Sequence, residues 1–315
     1  MGTHILDRAL VAVSLTLGLS CRGERAVLEP QGAISMAHRV SADAEWSAPV
    51  NFGPPISTQY LEHNPFLTKD GLSLYFTSDR PGGYGGWDLW VAHRATLDSP
   101  WEVPENVGPN VNSSSLEAAP YISRDGHSLY FESDRAGGSG SIDMLVSWRD
   151  DIHDDHAWQP PVNLGPEVNG PGPEGPVSIQ GPDFYFARNS IGPAARFDIF
   201  VSRMYGSVFG EPQPVAELNS VADDRAPSIR FDGREIFLTS NREGGFGDYD
   251  LWTSVRAGGG LPWSSPVNLG PTINTPYLEV GPMISEDGNT LLFVSNRPGG
   301  YGSLDLYYST RIPKQ

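Results

Sequence analysis

Cysteine is nearly absent from this 315-residue chain: Cys21 is the only one, so no internal disulfide can hold the fold. Positive charge is scarce too, with 21 Lys and Arg against 38 Asp and Glu, a formal net charge of −17. So acidic a chain repels phosphate backbones, and no basic stripe offsets this, which excludes a nucleic-acid partner. Long stretches free of helix breakers are also missing, because 36 Gly and 28 Pro are spread along the chain. Helices can therefore be minor features at best. The single sustained apolar run, residues 9–20 (ALVAVSLTLGLS), is too short for a stable membrane span. Gly-x-Ser-x-Gly, His-Glu-x-x-His and Walker signatures are absent, which removes the common hydrolase and nucleotide signals.

Aromatic residues, by contrast, are plentiful. Eight Trp, 12 Tyr and 13 Phe supply a sizeable core, so the glycines and prolines indicate turns rather than disorder. The expectation is a turn-rich all-β protein. The short apolar run after Arg8 has the length of a signal-peptide core, and Cys21 at its end resembles a bacterial lipobox, with Leu17 one position further from the cysteine than that pattern prefers. Residues 1–21 are read as a signal peptide with Cys21 as lipidation site; plain secretory cleavage after Ser20 is the alternative. Residues 22–45 read as a tether and residues 46–315 as the folded domain.

That domain is built from five copies of one unit. SAPVNFGPPIS after Trp46 returns as EVPENVGPNVN after Trp101, QPPVNLGPEVN after Trp158 and SSPVNLGPTIN after Trp263, with a weaker copy after Phe209. These anchors are 55, 57, 51 and 54 residues apart. Inside each period, twelve residues always separate the last aromatic or Leu of LYF, FYF, IFL or LLF from the Asp of a DLW-like run. Each unit reads as four short strands. An Asp-Gly hairpin joins the first two, a Gly-rich loop such as PGGYGG leads to the third, and the Pro-containing run makes an outer fourth. Periods of this size with four strands indicate propeller blades. The repeats open with a fourth-type strand at Trp46 and stop after a third-type strand, Asp305 to Arg311. The expected fold is thus a five-bladed β-propeller with four antiparallel strands per blade, its N-terminal strand closing the last blade.

The repeat Glu-x-x-Pro-x-x-Ser-x-Asp-Gly-x-x-Leu-Tyr-Phe-x-Ser-Asp-Arg-x-Gly-Gly-x-Gly-x-x-Asp-Leu-Trp resembles the TolB-type, Trp-Asp-repeat-like propellers of bacterial envelope proteins, including those fused to OmpA-type domains. The resemblance covers residues 46–311. It implies a monomeric, exported lipoprotein of the periplasm or outer membrane that binds an envelope protein or a glycan.

Two carboxylate sets recur. Asp88, Asp143, Asp198, Asp250 and Asp305 open the third strands; a turn bond or a bond to Arg80, Arg135, Arg242 or Arg297, which follow the second strand in four copies, would explain them. Glu62, Glu117, Glu174, Asp224 and Glu279 precede the proline of each innermost strand, where they could form an acidic ring at one mouth of the channel. Such a ring would hold Ca²⁺ or Mg²⁺, or each acid would pair with an arginine of a neighbouring blade. The next position reads His63, Ala118, Gly175, Arg225 and Val280. His63 and Arg225 are the chargeable members and the candidate catalytic residues, an acid–base group and an anion clamp. The cluster Asp150 to His156 reads as a solvated acidic loop, with metal binding as its alternative. Copy three departs most, with Gln180-Gly181 for Asp-Gly and Arg188-Asn189-Ser190 for Ser-Asp-Arg. The main functional expectation is a binding scaffold. The alternative is a propeller hydrolase of lactones, phosphoesters or glycosides with a divalent cation in the channel, recognisable by asymmetric polar groups converging at one mouth.

Overall fold

Aromatic and β-branched residues at the centre of each repeat make its second strand the middle of a sheet, where such side chains pack best. The computed structural model describes residues 45–190, 192 and 195–312, and contains no helix among them. The second strands are Ser73–Ser78, Ser128–Ser133, Asp183–Asn189, Glu235–Ser240 and Thr290–Ser295. Each pairs antiparallel with an inner strand (Glu62–Leu67, Glu117–Ile122, Glu174–Gln180, Asp224–Ile229, Glu279–Ile284) and with a third strand that begins at or next to the repeated Asp. The outer strands are only two residues long in the regular blades, as at Glu105–Asn106 and Val267–Asn268, where nearby prolines limit pairing. The five sheets form a five-bladed propeller. Apolar clusters fill the spaces between neighbouring blades, for example Leu74, Phe76, Val294 and Leu306 between blades five and one.

The ring closes as the order of repeats requires. Trp46 pairs with Arg311, and Val50 and Asn51 pair with Tyr308 and Tyr307, so chain start and chain end share blade five. Trp46 is buried against Phe237 and lies 4.7 Å from the Arg311 guanidinium. The same clasp recurs as Arg94 on Trp101, Arg149 on Trp158 and Arg256 on Trp263. The tryptophan that opens each period is therefore held by the arginine that ends a third strand, a cation–π contact built into the repeat. Blade three has Phe209 and Met204 instead, and lacks the clasp.

The inner strands differ from expectation in one respect. They start at the acid itself, and the proline sits fourth (third in blade three), inside a bulge where the register shifts (His63/Phe66, Ala118/Tyr121, Glu174/Val177, Arg225/Ser228, Val280/Met283). Asn64, Ala119 and Ala226 adopt positive φ at these bulges, at 47°, 52° and 51°. A bulge re-aims the side chain before it and tolerates the missing proline N–H. The signal peptide, Cys21 and nearly all of the tether lie outside the described residues.

Candidate functional site

The five inner-strand acids are not an open ring. Glu62, Glu117, Glu174, Asp224 and Glu279 are each at most 1% exposed, because they fold back into their own blades. Glu117 accepts from the Ser113 backbone N–H at 2.7 Å, from the hydroxyls of Ser113 and Ser133, and from Arg135 at 2.9 Å. Glu62 with Arg80 and Glu279 with Arg297 repeat this at 3.0 and 3.1 Å, and Arg242 bonds Asp224. The arginine thus comes from the same blade, not from a neighbouring one, because the carboxylate and the residue two past the second strand sit across one strand pair. Blade three supplies its arginine differently. Arg188 lies within the second strand, opposite Glu174, yet still donates to the Val168 carbonyl as its counterparts do to Val111, Leu218 and Ile273. Its Nε stands 3.4 Å from Glu174, whose other oxygen has no hydrogen-bond partner among the described residues. Burial pushes the Glu174 carboxyl up to about 8.

The repeated Asp serves the turn rather than the arginine. Asp88 accepts the backbone N–H groups of Tyr84 and Gly85, and Asp143, Asp250 and Asp305 do the same in their loops. This explains the spacing of the glycines. A side chain at Gly83, Gly138, Gly245 or Gly300 would collide with that carboxylate, and one at Gly85, Gly140, Gly247 or Gly302 would strike a carbonyl of the next blade. In blade three Asp198 pairs with Arg196 instead, at 3.3 Å. Among the described residues no three His, Cys, Asp or Glu side chains gather into a metal-holding group. Because arginine already pairs with Glu62, Glu117, Asp224 and Glu279, Glu117→Gln combined with Glu279→Gln is expected to lower the melting temperature. Millimolar Ca²⁺ is expected to leave the wild-type value unchanged. A calcium-dependent rise that the double variant loses would instead establish a cation ring.

Asymmetry is concentrated one residue further along. Arg225 acts electrostatically on both His63 and a third group, Glu132, across the ring. Glu132 lies on the second strand of blade two at a position that reads Thr77, Glu132, Ala187, Thr239 and Val294 around the ring, cross-strand from Ala118. Thr77 and Thr239 each accept an N–H from the next blade's inner strand, which shows that this position faces the neighbouring blade. One oxygen of Glu132 has no contact with solvent and no hydrogen-bond partner among the described residues. Burial pushes its pKa up to about 8, against the opposing pull of Arg225. His63 stacks on Trp87 at 6.4 Å and contacts the Asn64 amide. Burial first, and then the charge of Arg225, lower its pKa to about 4. It is neutral at physiological pH, a hydrogen-bonding group rather than a proton donor. Arg225 lies over the rings of Tyr249 (4.6 Å) and Phe197 (5.6 Å), and Tyr249 donates its hydroxyl to Asp223 at 2.6 Å. Asp223 occupies a position that is Leu61, Leu116, Pro173 or Leu278 in the other copies.

Glu132 and Asp223 were both readable as departures from the repeat. Glu132 is the one charge at a Thr/Ala/Val position and Asp223 the one charge at a Leu/Pro position. Comparing copies only on the inner strands misses the first of these.

Comparison with known proteins supports the fold. No protein-family model matches the chain, and no curated protein matches it. Among solved structures, an α-L-arabinofuranosidase from Lactobacillus brevis aligns with TM-score 0.56 and 16% identity over 83% of this chain and 93% of that one. An endo-arabinase from Bacteroides thetaiotaomicron gives 0.54 and 18% over 86% and 98%. The α-L-arabinofuranosidase of Podospora anserina, solved with cellotriose, gives 0.52 and 12% over 86% and 97%. A putative TolB from Agrobacterium tumefaciens aligns at 0.45, too distant to carry weight. At these identities the likeness is one of fold.

Proposed function

We propose that this protein is a glycoside hydrolase acting at the end of the channel where His63, Glu132 and Arg225 meet. The observation that carries this reading is Glu132, a half-buried carboxyl group with one oxygen that has neither solvent nor a hydrogen-bond partner among the described residues, and whose pKa burial raises to about 8. A glycosidase needs one carboxylic acid to protonate the leaving oxygen and a second carboxylate to activate water or attack the sugar. Glu132 takes the first role and Asp223 the second, with Arg225 fixing a sugar hydroxyl and His63 accepting or donating a neutral hydrogen bond. The several five-bladed glycosidases of similar shape, arabinose-releasing enzymes by their names, support a furanoside or a short chain of such sugars as substrate. Convergent, unequal groups at one mouth favour this reading over a symmetric binding scaffold. The test is a panel of arabinosides, xylosides and other glycosides with purified protein. Turnover that Glu132→Gln removes is the expected result, and a wild type inert on every glycoside would refute the assignment.

Export as a lipoprotein is the cellular side of the same proposal, since an extracellular polysaccharide is reached only outside the cytoplasm. Cys21→Ser is expected to move the protein from the membrane to the soluble fraction of the producing bacterium. Unchanged membrane association, with no lipid mass on the native protein, would leave plain secretion.

A further inference from the structure

We propose that the opposite end of the channel holds a second catalytic site, a serine esterase built from Ser73, His93 and Asp155. The channel opens there, on the side of the Asp-Gly hairpins, into a cavity of 1520 Å³ whose lining includes all three residues. Ser73 opens the second strand of blade one directly after the Asp70-Gly71 turn, and its backbone N–H donates to the Thr68 hydroxyl at 3.0 Å. Its Oγ lies 3.1 Å from Nδ1 of His93, the residue opposite it on the third strand. On the other side of the ring, Nε2 of His93 lies 3.1 Å from Oδ2 of Asp155. Nucleophile, base and orienting carboxylate are thus in contact in the order that acyl transfer requires. The imidazole uses its two nitrogens in the reverse sense from the usual serine hydrolase, which the relay permits because either nitrogen can accept while the other donates.

Asp155 belongs to the acidic loop of residues 150–156, but it is half-buried and bonded to Tyr75, Arg149 and His93. Burial opposes its charge, yet hydrogen bonds from His93, Tyr75 and Arg149 hold its pKa below the usual carboxylate range. It reaches across from blade two to blade one, so the triad needs the two blades packed side by side. The hydrogen bond to Asp155 in turn raises the basicity of His93. The arrangement is not a product of the repeat. The pair equivalent to Ser73 and His93 is Ser128 and Trp148 in blade two, Asp183 and Arg203 in blade three, Glu235 and Val255 in blade four, and Thr290 and Thr310 in blade five.

The reaction follows from the contacts. Ser73 Oγ attacks an ester carbonyl as its proton passes to His93 Nδ1, while Nε2–H stays on Asp155. The tetrahedral intermediate expels the alcohol, which takes the proton from Nδ1, and water then releases the acid by the same route. Lys69 and Arg94 line the same cavity and supply positive charge for the oxyanion. Arg94 spends Nε on the Gly71 carbonyl and Nη1 on the Leu97 carbonyl, and its Nη2 stands beside Gly71. Phe66, Tyr121 and Ile152 on the same lining select carboxylic esters with an apolar acyl group.

A fluorophosphonate probe tests the assignment directly, because it labels an activated serine irreversibly whatever the natural ester is. The full chain is expected to gain one probe mass, mapped by peptide analysis to Ser73, and to hydrolyse p-nitrophenyl butyrate. Ser73→Ala is expected to lose the label and to reduce that hydrolysis by about 10³-fold at an unchanged melting temperature. His93→Gln should do the same while leaving glycoside turnover at the other mouth intact. No adduct, an adduct elsewhere, or equal ester hydrolysis by Ser73→Ala overturns the proposal.

Discussion

Glu132→Gln is expected to keep the fold and to lower glycoside turnover by about 10²–10⁴-fold, the range for loss of a positioned general acid. The loss should be largest for glycosides with a poor leaving group and small for p-nitrophenyl glycosides, whose leaving group departs without protonation. A uniform loss across leaving groups would place Glu132 in binding rather than in proton transfer. The pH profile carries the same information. A general acid works while protonated, so wild-type activity should hold up to about pH 8, the pKa that burial gives Glu132, and fall above it. Stability follows with a definite sign. The folded protein holds the Glu132 proton more tightly than the unfolded chain, so between about pH 4.5 and pH 8 the wild type loses stability as pH rises. Glu132→Gln carries no such proton and should gain melting temperature relative to wild type across that window. Glu174, also raised to about 8, adds to the wild-type slope, and Glu174→Gln separates the two because it should leave the catalytic limb in place.

Deleting residues 46–52 is expected to be the most damaging small truncation of the domain. It removes Trp46 from its place against Phe237 and Arg311, and with Val50 and Asn51 gone it leaves Tyr307 and Tyr308 of the last third strand without their edge partners. Loss of one buried tryptophan alone costs about 3–5 kcal/mol by comparison with core truncations. The exposed edge of blade five adds an aggregation hazard. Deleting residues 22–40, which precede the paired strands, should leave the melting temperature near that of the full chain. Equal melting temperatures for the two deletions would contradict closure by the N-terminal strand.

Much of this architecture was legible in the chain because a propeller repeats its constraints. The constant twelve residues from the second strand to the DLW-like Asp fix the length of the Gly-rich loop, and the loop has that length because the Asp must cap it. The offset between the first and last repeats foretold the pairing of Trp46 with Arg311. The site was less legible. His63 and Arg225 stood out on the inner strands, and the structure sets Arg225 to act on His63 across the ring. Glu132 lay in a central strand rather than on the inner strands, where the copies were compared. Arg188 escaped notice as a partner for Glu174 because it arrives two positions early, from inside the strand.

Local sequence therefore determined what depends on short-range rules: strand length, hairpin position, loop spacing, blade number and the order in which the ring closes. Only the tertiary structure decided which charges cancel. Five carboxylates at one strand end suggested a cation ring, yet four are bonded by an arginine of their own blade across a single strand pair, and in the fifth burial raises Glu174 beside Arg188. Two acids that looked incidental gained chemical meaning from their surroundings. Glu132 meets no fixed partner, so enclosure raises its pKa and keeps its proton. Asp155 meets His93 and Tyr75 across a blade boundary and Arg149 within its own blade, so hydrogen bonding outweighs enclosure and holds its pKa down. The balance between desolvation and pairing depends on neighbours that the fold, rather than the local sequence, brings together.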